Sequence, residues 1–192
     1  MITLPIESKP INKKVLLFEN FMDDNYCDSV LTQVTDHTFP WFWGPVLSKE
    51  DEFSKISCPD NKNWQFSHRF YHFGESNSSF TYLIQPLIDR INPDVLFRAK
   101  VNMNPNEDVQ TTHGFHTDIN MPGLTSIFYL NDCNGKTILE IDGERQEILQ
   151  KKGTLLTFDN RIMHTGTGTT DQKVRCLFVI NHFKCDWYNG NV

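Results

Sequence analysis

Cysteine is scarce in this sequence, and its arrangement excludes two classes of small domain. Five cysteines are spread over 192 residues without a C-x-x-C pair. This pattern supports neither a disulfide framework nor a zinc ribbon. Because disulfides persist in oxidising compartments, we expect a protein of a reducing compartment, the cytoplasm.

Long apolar runs and an excess of positive charge are lacking too. No stretch approaches the roughly 18 apolar residues of a membrane-spanning helix, and Met1 is not followed by a basic and then apolar leader. With 18 Lys and Arg against 24 Asp and Glu, the formal charge is -6, which repels phosphate backbones. We therefore expect a soluble protein that binds neither membranes nor nucleic acid.

The first half of the chain contains two helical patterns. Hydrophobic residues make up 39% of the sequence, enough for a sizeable core, and the length favours one domain. Apolar spacing predicts an amphipathic helix near residues 24 to 36, capped by Asp23 or Asp24. A second stripe runs from Phe80 to Ile91, where Pro86 should kink or divide the helix.

The second half consists of short β-type runs that are separated by turn signals such as Asp142-Gly143 and Lys152-Gly153. Many short strands joined by tight turns are typical of a sandwich or small barrel. We expect the helices of the first half to pack on one outer face. The predicted strands are Val95–Asn102, Leu124–Leu130, Thr137–Ile141, Arg145–Leu149, Thr154–Phe158 and Val174–Phe183.

Three separated side chains in this β half could hold a metal. His116 and Asp118 stand at i and i+2, so an extended chain would point both to one face. Chance alone often supplies one such triplet, so it needs partners. His164 follows the predicted strand Thr154–Phe158, and a sandwich could fold it back toward His116. Two His and one carboxylate with open positions suit non-haem Fe(II) and oxygen chemistry.

Arg175 is the second partner of that triplet. It lies 11 residues after His164, inside the otherwise apolar strand Val174–Phe183. A charged side chain in an apolar strand requires an anion. The planar guanidinium binds a carboxylate through two parallel hydrogen bonds, and that carboxylate need not belong to the protein.

These motifs together resemble the Fe(II)/2-oxoglutarate-dependent dioxygenases. The ordered set comprises His116-x-Asp118, Tyr129-Leu130-Asn131-Asp132, Gly135-Lys136-Thr137, His164 and Arg175. Within that superfamily the sequence is most similar to the prolyl-4-hydroxylase-like branch, including small proteins of viruses and bacteria. The resemblance covers residues 97 to 183.

The resemblance implies roles for these residues. His116, Asp118 and His164 would ligate Fe(II), while Arg175 would bind the distal carboxylate of 2-oxoglutarate. Tyr129 occupies the position whose hydroxyl helps to hold the same carboxylate.

Further cosubstrate-binding residues follow from the strand that precedes the metal motif. Its alternate residues Lys100, Asn102 and Asn104 should face the cosubstrate if the strand period of two holds. Thr137 is assigned to the same pocket by the resemblance. The family often has a Tyr where Asn104 stands, so which group orients the carboxylate nearest the iron stays open.

The resemblance also implies a fold and an activity. The fold would be mainly β with flanking helices: a double-stranded β-helix (jelly-roll or cupin-like) core over residues 95–185, with residues 1–94 as helical support and lid. This single dioxygenase domain would use Fe(II), 2-oxoglutarate and O2, with ascorbate as a reductant. It would hydroxylate a protein or peptide side chain such as proline, or a small molecule, releasing succinate and CO2. A viral protein would act in the host cytoplasm.

Two rival functions and several residues remain open at this point. A jelly roll can lose its chemistry and serve as a catalytically silent metal- or ligand-binding module. An oxygenase acting on alkylated nucleic-acid bases would typically carry a second Arg soon after Arg175, and residues 176 to 184 contain none. The cluster Trp41-Phe42-Trp43 is either a lid or, preferably, cover for a sheet edge. His113 is either a competing ligand or, preferably, a polar residue at the pocket mouth.

Overall fold

The computed structural model describes residues 8–12, 15–46, 62–119 and 121–188. Helices are few in this part of the chain. Helix α1 spans Asp24–Val34, a 3-10 turn spans Thr81–Leu83, helix α2 spans Gln85–Ile91, and the short helix α3 spans Cys185–Tyr188.

Antiparallel strands build two sheets in the described residues. The larger, nine-stranded sheet contains β1 (Ser8–Asn12), β2 (Val15–Phe18), β3 (Phe42–Pro45), β4 (Trp64–His72), β5 (Glu75–Ser76), β6 (Val95–Pro105), β7 (Leu124–Tyr129), β10 (Leu155–Asp159) and β12 (Val174–Phe183). The smaller, three-stranded sheet contains β8 (Lys136–Ile141), β9 (Glu144–Leu149) and β11 (Met163–Gly166).

The strand order shows the crossovers of a jelly roll. The large sheet runs β1-β2-β10-β7-β12-β6-β4-β3, with β5 paired to β4, and the small sheet runs β11-β8-β9. Strands that are neighbours in space are thus often distant in sequence. The expected mainly β fold, a jelly-roll core with flanking helices, is confirmed.

Strand β12 shows how the large sheet separates two interiors. Phe178 and its alternate neighbours Cys176 and Ile180 are fully buried in the cluster that contains α1 and α2. Leu177 and Val179 point to the other face and pack in the space between the two sheets. Side chains alternate along a strand, so Arg175 must point between the sheets as well.

The helices follow the sequence pattern closely. Asp23 caps α1, since its carboxylate accepts a hydrogen bond of 2.8 Å from the amide of Tyr26. The second predicted helix is divided as expected, because Pro86 stands in the first turn of α2, where its missing N–H costs no hydrogen bond. Cys27, Val30 and Val34 place the buried face of α1 against the sheet.

Most strand predictions are confirmed to within a few residues, and β12 matches at both ends. Strand β6 extends three residues beyond the predicted end, to Pro105. Strand β11 was not predicted, since its sequence Met163-His164-Thr165-Gly166 has no apolar alternation. The aromatic segment from Phe39 to Phe73 contains β3 and β4, while residues 47–61 lie outside the described residues. No helix of the described residues is both long and apolar enough to span a membrane.

We expect the inter-sheet packing to dominate stability. Leu156 is fully buried in the cluster between the sheets, so Leu156→Ala should lower the free energy of unfolding by about 2–5 kcal/mol. Leu149 is 58% exposed at the end of β9, and Leu149→Ala should change that free energy by less than about 0.5 kcal/mol. Urea unfolding of both variants measures the difference, and equal effects would contradict this packing.

Candidate metal centre and cosubstrate cavity

Backbone hydrogen bonds bring the two sequence-distant histidines together. The amide of His116 donates to the carbonyl of His164, and the amide of His164 donates to the carbonyl of His116, both at 2.9 Å. This isolated antiparallel bridge joins the segment after β6 to β11 of the small sheet. The ring centroids of the two imidazoles consequently lie 4.7 Å apart.

Each imidazole has its Nδ1 committed to the backbone. Nδ1 of His116 lies 3.1 Å from the carbonyl oxygen of Gly114, and Nδ1 of His164 lies 3.0 Å from that of Ile162. A carbonyl can only accept a hydrogen bond, so Nδ1 carries the proton in both rings. Nε2 of each ring is therefore the nitrogen left to serve as a metal ligand.

Asp118 is held by neutral and cationic donors. Nη2 of Arg98 donates to one carboxylate oxygen at 2.8 Å, and the amide of Asn181 donates to the other at 3.1 Å. Burial on its own would raise the pKa of Asp118, but its surroundings, led by His164 and Arg98, hold that pKa well below its usual range. The carboxylate is ionised and fixed in orientation.

The three ligand atoms converge on one point. They all lie within 4.8 Å of one another, with Nε2 of His164 3.7 Å and Nε2 of His116 4.0 Å from Asp118 oxygens. Neighbouring ligands that are each about 2.1 Å from a metal lie about 3 Å apart. Binding of a metal would therefore require small rotations of these side chains. Two imidazoles and one carboxylate on one side are the donor set of non-haem Fe(II) sites, so these residues fit that ion.

Burial keeps His116 and His113 neutral. It lowers the pKa of His116 to about 4, with the neighbouring His164 as the next cause. The same effect, followed by the charge of Arg175, lowers the pKa of His113 to about 4. At neutral pH both rings are therefore uncharged.

Arg175 reaches the same cavity from β12 and is almost completely buried, at 3% exposure. Its side chain packs closely against two glycines. A β-carbon on Gly135 would lie 2.5 Å from Cδ of Arg175, and one on Gly166 would lie 2.7 Å from its Nη1. The two glycines thus leave room for the side chain of Arg175, and any larger residue at either position would collide with it.

The guanidinium of Arg175 lacks an anion among the described residues. Its Nη2 donates to the hydroxyl of Thr137 at 3.3 Å, while its buried Nε has no hydrogen-bond partner. Burial also lowers the pKa of Arg175 from its ordinary value. Because an unpaired buried charge is costly, this arrangement favours the binding of an anion, and a carboxylate matches the geometry of the guanidinium.

The hydroxyl of Thr137 connects Arg175 to Tyr129. Tyr129 is fully buried and donates its hydroxyl hydrogen to Oγ1 of Thr137 at 2.9 Å. Burial raises the pKa of Tyr129 to about 12, so it stays protonated. Thr137 accepts from both neighbours, and its own hydrogen remains available to a ligand.

A narrow inner cavity of about 50 Å³ joins these groups. His116, Asp118 and His164 line it together with Arg175 and Thr137. Tyr129 does not line this cavity but supports Thr137 from behind.

Strand β6 supplies the remaining polar wall of the inner cavity. Lys100, Asn102 and Asn104 all line it, as the strand period predicts. Oδ1 of Asn102 is buried without a hydrogen-bond partner. Burial, partly opposed by Asp118, lowers the pKa of Lys100 to about 8, which still leaves a cation at pH 7.

His113 lies elsewhere than the sequence suggested. It was expected at the pocket mouth, yet it is 4% exposed and lines the inner cavity. The amide nitrogen of Asn104 lies 3.1 Å from its Nε2. The backbone of His113 also pairs with Gly166, which turns the ring inward.

A wider outer cleft of about 720 Å³ adjoins the candidate metal site. His116, Asp118 and Lys100 line both spaces. Phe42 lines the outer cleft and is 63% exposed, and its neighbour Trp43 is similarly exposed. The aromatic cluster was preferably interpreted as edge cover, and β3 does form that edge of the sheet, but Phe42 also borders the cleft.

Sequence reasoning missed the residues that hold Asp118. Arg98 and Asn181 face each other across β6 and β12, and Nε of Arg98 donates to Oδ1 of Asn181 at 2.9 Å. Arg98 shares the alternation of Lys100 and Asn102, which is the signal that could have identified it. Asn181 has the same parity as Arg175 in β12, so its face was predictable as well.

Comparison with known proteins finds similar structures but no match at the level of sequence. No family model matches the chain, and no curated protein matches its sequence. An oxidoreductase of the 2OG-Fe(II) oxygenase family from Burkholderia pseudomallei is similar in structure, with a TM-score of 0.62, 11% identity, and coverage of 88% of this chain and 85% of that one. The chain shares the fold of these oxygenases.

Two further structures support the same fold. A prolyl hydroxylase from Trichoplax adhaerens, in complex with a peptide fragment of hypoxia inducible factor, has a TM-score of 0.59 and 16% identity over 94% of this chain and 88% of that one. The epimerase SnoN, in complex with Fe3+, alpha ketoglutarate and nogalamycin RO, has a TM-score of 0.60 and 12% identity over 89% and 79%. Structural neighbours of this chain thus include a prolyl hydroxylase and an epimerase that binds iron and alpha ketoglutarate.

We predict that His164→Ala weakens binding of Fe(II) more than the roughly 10- to 100-fold typical of changes behind the ligands, because it removes a ligand. His37→Ala is the matched control, since the side chain of His37 is 90% exposed at the end of α1. Anaerobic calorimetric titration with Fe(II) measures both affinities, and circular dichroism checks folding. Undiminished Fe(II) binding by His164→Ala would refute the ligand assignment.

Proposed function

We propose that this protein is a non-haem Fe(II)- and 2-oxoglutarate-dependent dioxygenase of the prolyl-4-hydroxylase-like branch. It hydroxylates a C–H bond of a peptide side chain such as proline, or of a small molecule, and releases succinate and CO2. The observation that carries the proposal is the buried Arg175, which lacks an anion and lines the same cavity as His116, Asp118 and His164.

The inner cavity is lined by groups that suit both functional parts of 2-oxoglutarate, its chelating keto-acid and its distal carboxylate. Nε2 of His116, Nε2 of His164 and the carboxylate of Asp118 would hold Fe(II). The guanidinium of Arg175, with its unpartnered Nε, would bind the distal carboxylate of the keto-acid. Fe(II) and 2-oxoglutarate, when bound, supply the oxidising power that inserts one atom of O2 into a C–H bond.

The chain's own contribution is orientation and exclusion of water. Thr137 donates its free hydrogen to the cosubstrate carboxylate, while Tyr129 fixes the Thr137 hydroxyl from behind. Arg98 keeps Asp118 ionised and aimed at the metal. The apolar side chains of Ile127 and Leu177 line the inner cavity and limit entry of water.

Formation of the chelate tests the function directly. Anaerobic addition of Fe(II) and 2-oxoglutarate should give a visible charge-transfer absorption that neither component gives alone. Arg175→Leu should raise the Kd for 2-oxoglutarate by about 30-fold or more, because the buried charge pair is lost. Arg175→Lys keeps the charge but cannot form two parallel hydrogen bonds. Its Kd for 2-oxoglutarate should therefore lie between those of the unmodified protein and Arg175→Leu.

A silent spectrum would contradict the proposal and favour a metal- or ligand-binding jelly-roll module without catalysis. Retained affinity for 2-oxoglutarate in Arg175→Leu would show that the cosubstrate carboxylate binds elsewhere.

The hydrogen bond from Tyr129 to Thr137 leads to a second prediction, in which two variants should differ in the size of their effect. Thr137→Val removes the hydroxyl that faces the ligand and should weaken 2-oxoglutarate binding by about 0.5–1.5 kcal/mol, or about 2- to 12-fold. Tyr129→Phe removes only the supporting bond and should weaken it less. Titration of the absorption band with 2-oxoglutarate measures both, and a larger effect of Tyr129→Phe would place its hydroxyl on the ligand itself.

A further inference from the structure

The outer cleft has a charge opposite to that of the whole protein. The chain carries a formal charge of -6, yet the described residues that line the cleft include three cations and one carboxylate. The cations are Arg69, Arg98 and Lys100, and the carboxylate is Asp118. The cleft with this reversed sign lies directly beside the candidate metal site, since Asp118 lines it.

One of the three cations is already neutralised. Arg98 donates to Asp118 at 2.8 Å and to Asn181 at 2.9 Å. The side chains of Arg69 and Lys100 form no hydrogen bond or ion pair with any described residue. Two cations of the cleft therefore lack a partner.

The two unpartnered cations face each other directly. Arg69 on β4 is paired in register with Lys100 on β6, so both side chains leave the sheet on one face. Like charges that stand directly opposite on neighbouring strands destabilise a sheet. Lys100 is also partly buried, which adds the cost of removing its ammonium group from water. An anion between the two side chains would reverse both costs.

From this geometry we propose that the outer cleft binds a substrate that carries a carboxylate, which Arg69 and Lys100 hold while the C–H bond to be oxidised points toward the metal site. The proposal rests on the proposed function and names its substrate class: an acidic peptide segment or a free carboxylic acid.

The carboxylate in question is not that of 2-oxoglutarate. Arg69 lines the outer cleft and not the inner cavity, whereas Arg175 lines the inner cavity and not the outer cleft. Lys100 lines both spaces, so its replacement would affect both ligands. Arg69 is consequently the variant that separates substrate from cosubstrate.

Matched probes test the charge preference. Three mixtures of N-acetylated, C-amidated nonapeptides share five randomised, uncharged central positions and differ only in flanks of two Glu, two Gln or two Lys on each side. N-acetyl amino acids and their amides form a second, small-molecule arm. Succinate release above the peptide-free rate is measured with the Fe(II)-loaded protein and 2-oxoglutarate.

We expect stimulation by the Glu-flanked mixture or by the free acids, and none by the matched Lys-flanked mixture or the amides. Which arm responds distinguishes an acidic peptide from a small acid. The KM for the responding acid should rise with ionic strength, because salt screens exposed charges. Equal stimulation by neutral or basic probes, or no response to any acid, would overturn the inference.

Charge-removing variants locate the site. Arg69→Gln should raise the KM for the responding acid about tenfold or more, as expected for loss of a hydrogen bond to a charged group, and leave the Kd for 2-oxoglutarate unchanged. Arg69→Lys should recover part of that loss. Arg90→Gln is the matched control, because Arg90 lies in the last turn of α2 and lines neither space.

A separate readout needs no turnover. With no acid present, Arg69→Gln should raise the urea midpoint, since it relieves repulsion with Lys100. A lowered midpoint together with an unchanged KM for the acid would assign Arg69 a purely structural role. The chelate absorption, recorded on the same samples, separates the two hypotheses: its absence refutes the oxygenase, while its presence without acid preference refutes only this substrate class.

Discussion

Arg175 carries a positive charge into the space between two β-sheets, where no carboxylate of the described chain meets it. Its position follows from the alternation of β12, whose other face supplies Phe178 and Ile180 to the core beneath the helices. Strand β12 thus contributes apolar side chains to the core on one face and the positive charge of the inner cavity on the other. A mutation that shifted the register of β12 by one residue would exchange its two faces. It would remove the apolar side chains from the core and the positive charge from the cavity.

The candidate metal-binding groups depend on a different kind of support. His116 lies outside the named strands, and His164 lies on the short strand β11, but the backbone bridge between them fixes their spacing. Behind Asp118, Arg98 and Asn181 connect this loop to the large sheet. The candidate site therefore contains residues connected to both sheets, and its geometry depends on how the two sheets pack against each other.

Sequence reasoning recovered the parts of this molecule that are periodic. Alternation located β6 and β12 and placed Asn102 and Asn104 on the cavity side, while the pyrrolidine of Pro86 predicted the division of the second helix. It failed where contacts between distant segments decide the structure. The strand β11 exists because its backbone pairs with β8, and His113 turns inward because its amide bonds to Gly166. Neither interaction leaves a local signal.

The amide bridge between His116 and His164 has a consequence for handling the protein. Because peptide groups fix the spacing of the two imidazoles, we expect the candidate ligand set to form before any metal binds. Folding and metal uptake are then separate events, unlike those of domains that collapse only around zinc. A chelator should strip the ion reversibly from an intact scaffold, and a spent ion could be exchanged in place.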